Sequence, residues 1–105
     1  MESIFTNHAP QPAGHYSQAV VHQGIVYVSG QLPVNPATGE KNFGTIQAQT
    51  RQVLDNLEAI LTGAGSDREH VLRTTVYVSD ISLWGSVNQA YAEFFGDHRP
   101  ARTVV

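Results

Sequence analysis

Residues 24–36 read Gly-Ile-Val-Tyr-Val-Ser-Gly-Gln-Leu-Pro-Val-Asn-Pro. The run from Ile25 to Ser29 is β-branched, aromatic or small, which is the composition of a strand, and Gly30 breaks it. Neither Pro33 nor Pro36 can donate to a β-ladder, so after Gly30 the chain has to leave the sheet as an ordered, extended turn. A strand ending in a serine and a glycine either presents a hydroxyl and a bare backbone N–H to a small ligand or simply runs out into a loop.

Working backward, residues 16–22 (Y-S-Q-A-V-V-H) form a second strand-type run, joined to the first by Gln23 and Gly24, the signature of a hairpin. Residues 3–6 (S-I-F-T) predict a short strand before it, and residues 7–14, with Pro10, Pro12 and Gly14, an irregular loop. Working forward, residues 33–43 carry turn chemistry, with Asn35-Pro36 and Thr38-Gly39 as punctuation. From Thr45 the period changes. Ile46, Thr50, Val53, Leu54, Leu57, Ile60 and Leu61 recur at helical spacing, predicting an amphipathic helix over 45–61 with Thr45 as N-cap and Gly63 and Gly65 as the stop.

Residues 66–69 (S-D-R-E) have the spacing of a capping box and predict one helical turn. A strand over 71–79 follows, with Leu72, Thr74, Val76 and Val78 on the face that wants a helix. After Asp80 comes a second helix with Trp84, Val87, Tyr91, Phe94 and Phe95 on one stripe and Gly96 at its end. Residues 101–105 (A-R-T-V-V) begin a last strand-type run with no closing turn, so the chain is expected to continue beyond Val105. The order ββ then βαβαβ gives an α+β sandwich, a mixed β-sheet with two helices packed on one face. Its other face, to which Ile25, Tyr27 and Ser29 alternate along with Thr75 and Tyr77, is too apolar to sit wholly in water. Either a second subunit covers it or a few tyrosines are tolerated there.

The 105 residues form a single domain, 1–105, with 41% hydrophobic and 14% charged residues. A net charge of −3 with six scattered lysines and arginines supplies no basic stripe for a phosphate backbone, so no nucleic-acid partner is expected. There is no cysteine, no apolar run near the length of a membrane span and no signal-peptide pattern at the start. The expectation is a soluble, cytoplasmic protein without a membrane partner. None of His8, His15, His22, His70 and His98 falls in a metal-ligand pair, so no metal is expected, and phosphate-cradle and nucleophile-elbow motifs are absent.

Arg102 lies inside the last strand-type run, where it either snorkels to the edge, paired with Asp97 or solvent, or turns its planar fork to a carboxylate. Asn88 sits on the apolar stripe of the second helix and needs a partner, whether a backbone group or a ligand. Tyr16 opens a strand directly after a loop, so its hydroxyl either reaches a cleft or is the wet tip of a core ring.

The stretches G-H-Y-S-Q-A-V (residues 14–20), I-V-Y-V-S-G-Q-L-P-V-N-P (25–36), Q-T-R-Q-V-L-D-N-L-E-A-I-L (49–61), T-T-V-Y-V-S-D (74–80), V-N-Q-A-Y-A-E-F-F (87–95) and R-P-A-R-T-V-V (99–105) together resemble the RidA (YjgF) family of reactive-imine deaminases. The resemblance implies a chorismate-mutase-like two-layer sandwich, assembled as a homotrimer with active sites in the three clefts between subunits. It implies hydrolysis of short 2-imino acids, 2-iminobutanoate and 2-iminopropanoate, to 2-oxo acids and ammonia without a cofactor. Carried onto this chain, Arg102 clamps the substrate carboxylate, Tyr16 and Asn88 line the cleft, and Ser29 with the Gly30 backbone faces the imine end, so that Arg102, Ser29 and Tyr16 carry the chemistry. A ligand-binding or regulatory trimer of the same fold is the alternative, and a nuclease or translation-inhibitor role has been attached to relatives. Two departures stand out. His15 takes the place of the family's usual proline, and the family's last strand, with the glutamate that orients the attacking water, has no counterpart up to Val105.

Overall fold

Gln23 and Gly24 decide the first half of the architecture. The computed structural model describes residues 1–105. Both residues have positive φ, 52° and 77°, the conformation of a type I′ turn whose twist matches that of the strands it joins. A side chain at position 24 would be strained there even though the space around it is open. The turn connects β2 (Ala19–His22) to β3 (Ile25–Val28) in an antiparallel hairpin, and β1 (Glu2–Ile4) pairs with the other edge of β2, Ile4 opposite Ala19.

The first helix, α1 (Ile46–Gly63), starts where its cap chemistry predicts: the Thr45 hydroxyl accepts from the Ala48 N–H. Its stop is one step later than expected. Gly63 stays helical, and the positive φ that turns the chain falls at Gly65. The predicted capping box does not form. Asp67, not Ser66, precedes a single 3₁₀ turn over Arg68–His70, and its carboxylate bonds the His70 ring instead of a backbone N–H.

The next strand, β4 (Arg73–Val76), pairs parallel with β5 (Ala101–Val104), Thr74 opposite Arg102, and flanking backbone bonds at Leu72 and Val78 extend the pairing over most of the predicted run. Thr74, Val76 and Val78 turn inward as predicted, but Leu72, ahead of the strand, is 72% exposed. Between these strands runs α2 (Trp84–Phe95), with Val87, Ala90, Tyr91, Phe94 and Phe95 buried. Trp84, expected on that stripe, is 48% exposed. As the first residue of the helix it lies at the end that reaches past the core.

The helices pack on each other and on the strands in two layers. One apolar cluster, Ile4, Ala9, Ala19 and Ile60, lies under the antiparallel strands. A second, Leu54, Tyr91, Phe94 and Phe95, joins the two helices. The β-layer of this α+β sandwich is in two hydrogen-bonded parts, β1-β2-β3 and β4-β5, so the parallel β-α-β unit predicted for the second half forms while the one bridging β3 and β4 does not close a ladder. β3 and β4 face each other unpaired, with Val53, Leu57 and Leu61 of α1 lining the gap between them. With β5 on the far side of β4, the strands β3 and β5 lie at least two strand spacings apart, about 10 Å or more.

Candidate functional site

Alternation along β5 turns Arg102 and Val104 toward the helices and Ala101 and Thr103 toward the outside. Arg102 therefore neither snorkels nor meets Asp97. Its Nη1 donates to the Asn88 Oδ1 at 2.9 Å, and its guanidinium carbon sits 4.8 Å from the centroid of the Tyr91 ring. Asn88 and Tyr91 lie three apart on α2 and so share a face. Asn88, whose partner the sequence left open, thus holds one prong of the guanidinium and caps no backbone group.

The chain has three ion pairs, Arg51–Asp55, Glu58–Arg68 and Asp67–His70, and Arg102 belongs to none of them. Arg68 is the instructive contrast. It is forked onto Glu58, donates to the Phe94 carbonyl at 2.7 Å and stacks on the Phe94 ring, which makes it a fully engaged structural arginine. Arg102 is half-buried with one hydrogen bond, so its charge is uncompensated and the rest of its fork has no partner in the chain. A partly desolvated guanidinium in that state favours a planar anion.

A second group of predicted residues gathers where β2 begins and β3 ends. The Ser29 hydroxyl donates to the Ser17 carbonyl at 2.6 Å and its N–H to the Gln18 carbonyl at 2.9 Å, so the serine is tied inward, not alternating outward with Ile25 and Tyr27. Its oxygen keeps its acceptor capacity. The Gly30 N–H has no partner in the chain, and a Cβ added at Gly30 would meet nothing within 4 Å. Tyr16 is about half exposed. Its hydroxyl oxygen accepts from the Ala13 N–H at 3.2 Å, leaving its proton free to donate.

The structure thus brings Arg102 and Asn88 together and ties Ser29 to the Ser17 and Gln18 backbone, next to Tyr16 in sequence, while the Tyr16 hydroxyl turns back to Ala13 and no contact joins Tyr16, Ser29 or Gly30 to Arg102. The two groups belong to the two separate parts of the β-layer, Ser29 and Gly30 following β3 and Arg102 lying on β5, which pairs with β4.

Several supporting residues escaped the sequence reading. Gln18 is fully buried at the start of β2; its side chain accepts from the Thr6 N–H and donates to the carbonyls of Thr6 and Pro10, fastening the loop over 6–10 beside Ser17. Asn56, also buried, donates to the Leu32 and Val34 carbonyls and so moors the turn that follows Gly30 to α1. Its place between Val53 and Ile60 on the apolar face was a readable signal. Tyr91 and Thr74 were read as core and as strand face, whereas their hydroxyls are 2.8 Å apart beneath Arg102.

The family profile described as "Endoribonuclease L-PSP" matches residues 6–105 of this chain. A RutC family protein of Pyrococcus horikoshii is 46% identical over 104 residues, covering 99% of this chain and 82% of the relative. The crystal structure of the Escherichia coli YjgF gene product superposes with a TM-score of 0.94 at 41% identity, covering 100% of this chain and 84% of that one. The crystal structure of E. coli TdcF with bound serine does so with a TM-score of 0.94 at 35% identity, again over 100% of this chain and 84% of that one.

Proposed function

The chain belongs to the endoribonuclease L-PSP family, which includes the Rid and YjgF proteins, and from that premise we propose that it hydrolyses short 2-imino acids to 2-oxo acids and ammonia. The observation that carries the reading is the half-buried guanidinium of Arg102, braced by Asn88 and Tyr91 and lacking a carboxylate of its own. A relative with bound serine supports an α-carboxylate as the missing anion, since serine and a 2-imino acid share that group.

In this reading the substrate carboxylate lies in the fork of Arg102. The imine end lies at the other group of residues, where the Gly30 N–H and the Tyr16 hydroxyl donate and the Ser29 oxygen accepts. Water adds to C2 of the imine, the C–N double bond becomes a single bond, and the carbinolamine collapses to the 2-oxo acid as nitrogen takes a proton and leaves as ammonia. Imine hydrolysis proceeds in water unaided, so fixing the carboxylate and one water in line supplies most of the acceleration through proximity. No cofactor enters these steps.

A substrate shorter than the separation of the two groups cannot touch both in one chain. In this reading adjacent copies meet so that the β5 edge carrying one copy's Arg102 lies beside another's Ser29 and Gly30, and the same assembly covers the outward sheet face where Ile25, Tyr27 and Tyr77 are exposed. We therefore infer a homotrimer with its sites in the inter-subunit clefts. An RNA substrate fits poorly, because the net charge is −3 and two of the six basic side chains are held in ion pairs with carboxylates.

The test is to generate 2-iminopropanoate in place with a serine dehydratase and follow its decay. The protein is expected to shorten the imine's lifetime, and Arg102→Ala to abolish the effect. Tight binding of 2-oxobutanoate with no acceleration would identify a carboxylate-binding or regulatory protein instead of a hydrolase.

A further inference from the structure

The Arg102 guanidinium is held on two sides, and only one of them is the hydrogen bond to Asn88. Its flat face lies over Tyr91, a buried ring packed 4.7 Å, centroid to centroid, from Phe95. The Tyr91 hydroxyl is 2.8 Å from the Thr74 Oγ1, and Thr74 is the register partner of Arg102 on the neighbouring strand. The ring is thus fixed at one end by α2 and at the other by β4, directly beneath the side chain that β5 supplies. A core tyrosine needs a partner for its hydroxyl. Here the partner is placed so that the ring cannot tilt away from the guanidinium without breaking that bond.

We propose that Tyr91 and Thr74 are positioning residues for carboxylate recognition: their hydroxyl pair locks the ring that holds the Arg102 fork in the orientation a substrate carboxylate needs. The proposal rests on the reading of Arg102 as the carboxylate clamp and adds to it the elements that set its angle. A long arginine left free must be ordered when its ligand binds, at a cost of about 0.5–1.5 kcal/mol for an immobilised side chain, or about 2- to 12-fold in affinity. A guanidinium already stacked and bonded has paid most of that on folding.

Tyr91→Phe keeps the ring and Thr74→Val keeps the shape of the strand residue, so each removes one hydroxyl from the pair without opening a cavity. Each is expected to weaken 2-oxobutanoate binding, measured by calorimetry, about three- to tenfold. Binding of the uncharged analogue 2-oxobutanamide should be unchanged, and so should binding of either ligand when the hydroxyl is removed in an Arg102→Ala background. A structural defect would weaken both ligands alike. The Nε–H resonance of Arg102, assigned by its loss in Arg102→Lys, gives a readout that needs no ligand. It should exchange slowly in the wild type and faster in both variants.

If the wild type fails to bind 2-oxobutanoate, the carboxylate reading falls, and the positioning role is still judged by that resonance. An unaltered resonance in both variants, or equal loss for acid and amide, overturns the proposal.

Discussion

Replacing Asn56 by alanine tests how the turn after Gly30 is held. Asn56 is buried, and its Nδ2 donates to the Val34 carbonyl at 2.9 Å and to the Leu32 carbonyl at 3.2 Å. The Leu32 carbonyl also accepts from the Val34 N–H at 2.8 Å and keeps that bond in the variant, so the main loss is the half-buried Val34 carbonyl left without a partner, alongside the bond the Asn56 Oδ1 accepts from the half-buried Gln52. Such an orphan costs about 1–3 kcal/mol. Alanine returns about 0.5 kcal/mol through its better helix propensity, leaving a destabilisation of about 1.5 kcal/mol. In a domain of this size that corresponds to a fall in Tm of about 6–12 °C, measured by calorimetry. The damage should also be local. Amide exchange at Asn35 and Asn42, which bond across the same turn, should quicken more than exchange in α2. Asp55→Ala, one residue away in an exposed i,i+4 ion pair, is the control and should cost under about 0.5 kcal/mol. If Asn56→Ala is as mild as the control and the turn's amides are unchanged, the mooring role is wrong.

Arg102→Lys keeps the charge but loses the second prong and the stacking surface. It should weaken 2-oxobutanoate binding by about 1.5–3 kcal/mol, or about 10- to 150-fold, while Arg99→Lys on the exposed approach to β5 changes nothing measurable by calorimetry. The Asp67 carboxylate bonded to the His70 ring holds the imidazolium above the usual 6.5, and the same bond holds Asp67 below 3.8. The His70 contribution is full below pH 6.5 and fades as pH rises through its raised value. The Asp67 contribution is present above 3.8 and is lost as pH falls through its lowered value, so the pair stabilises best between those limits. An NMR titration should place the His70 midpoint above 6.5, returning to the ordinary value in Asp67→Asn; an unshifted midpoint would dismiss the pair. Light scattering should give a particle of three 11.4 kDa chains that Tyr27→Glu breaks apart, and a wild-type mass of one chain would remove the inter-subunit cleft.

The element types, the Thr45 cap and the hairpin turn were legible because they are local. Thr45 caps the backbone three residues on, Gln23-Gly24 sets its own turn, and the apolar period of α1 and α2 belongs to contiguous sequence. Leu72 and Trp84 were misread for the converse reason. Each continues an apolar pattern past the point where neighbouring elements exist to cover it, and burial is a property of those neighbours. Ser66 is not a cap because the 3₁₀ turn begins one residue later, after Asp67, whose carboxylate bonds the His70 ring, a choice that spacing alone does not resolve.

For the site, the sequence by itself determined which residues could meet a small organic acid: an arginine within a strand, an asparagine on an apolar helix face, and a serine and glycine at a strand's end. Only the tertiary structure decided that Arg102 has Asn88 and Tyr91 as neighbours and no carboxylate, that Ser29 is tied to Ser17, and that the two groups lie in separate parts of the β-layer. The physical reason is that identity and periodicity are written along the chain, whereas the partner of a charge, and hence whether that charge is spent or free, depends on contacts between residues far apart in sequence.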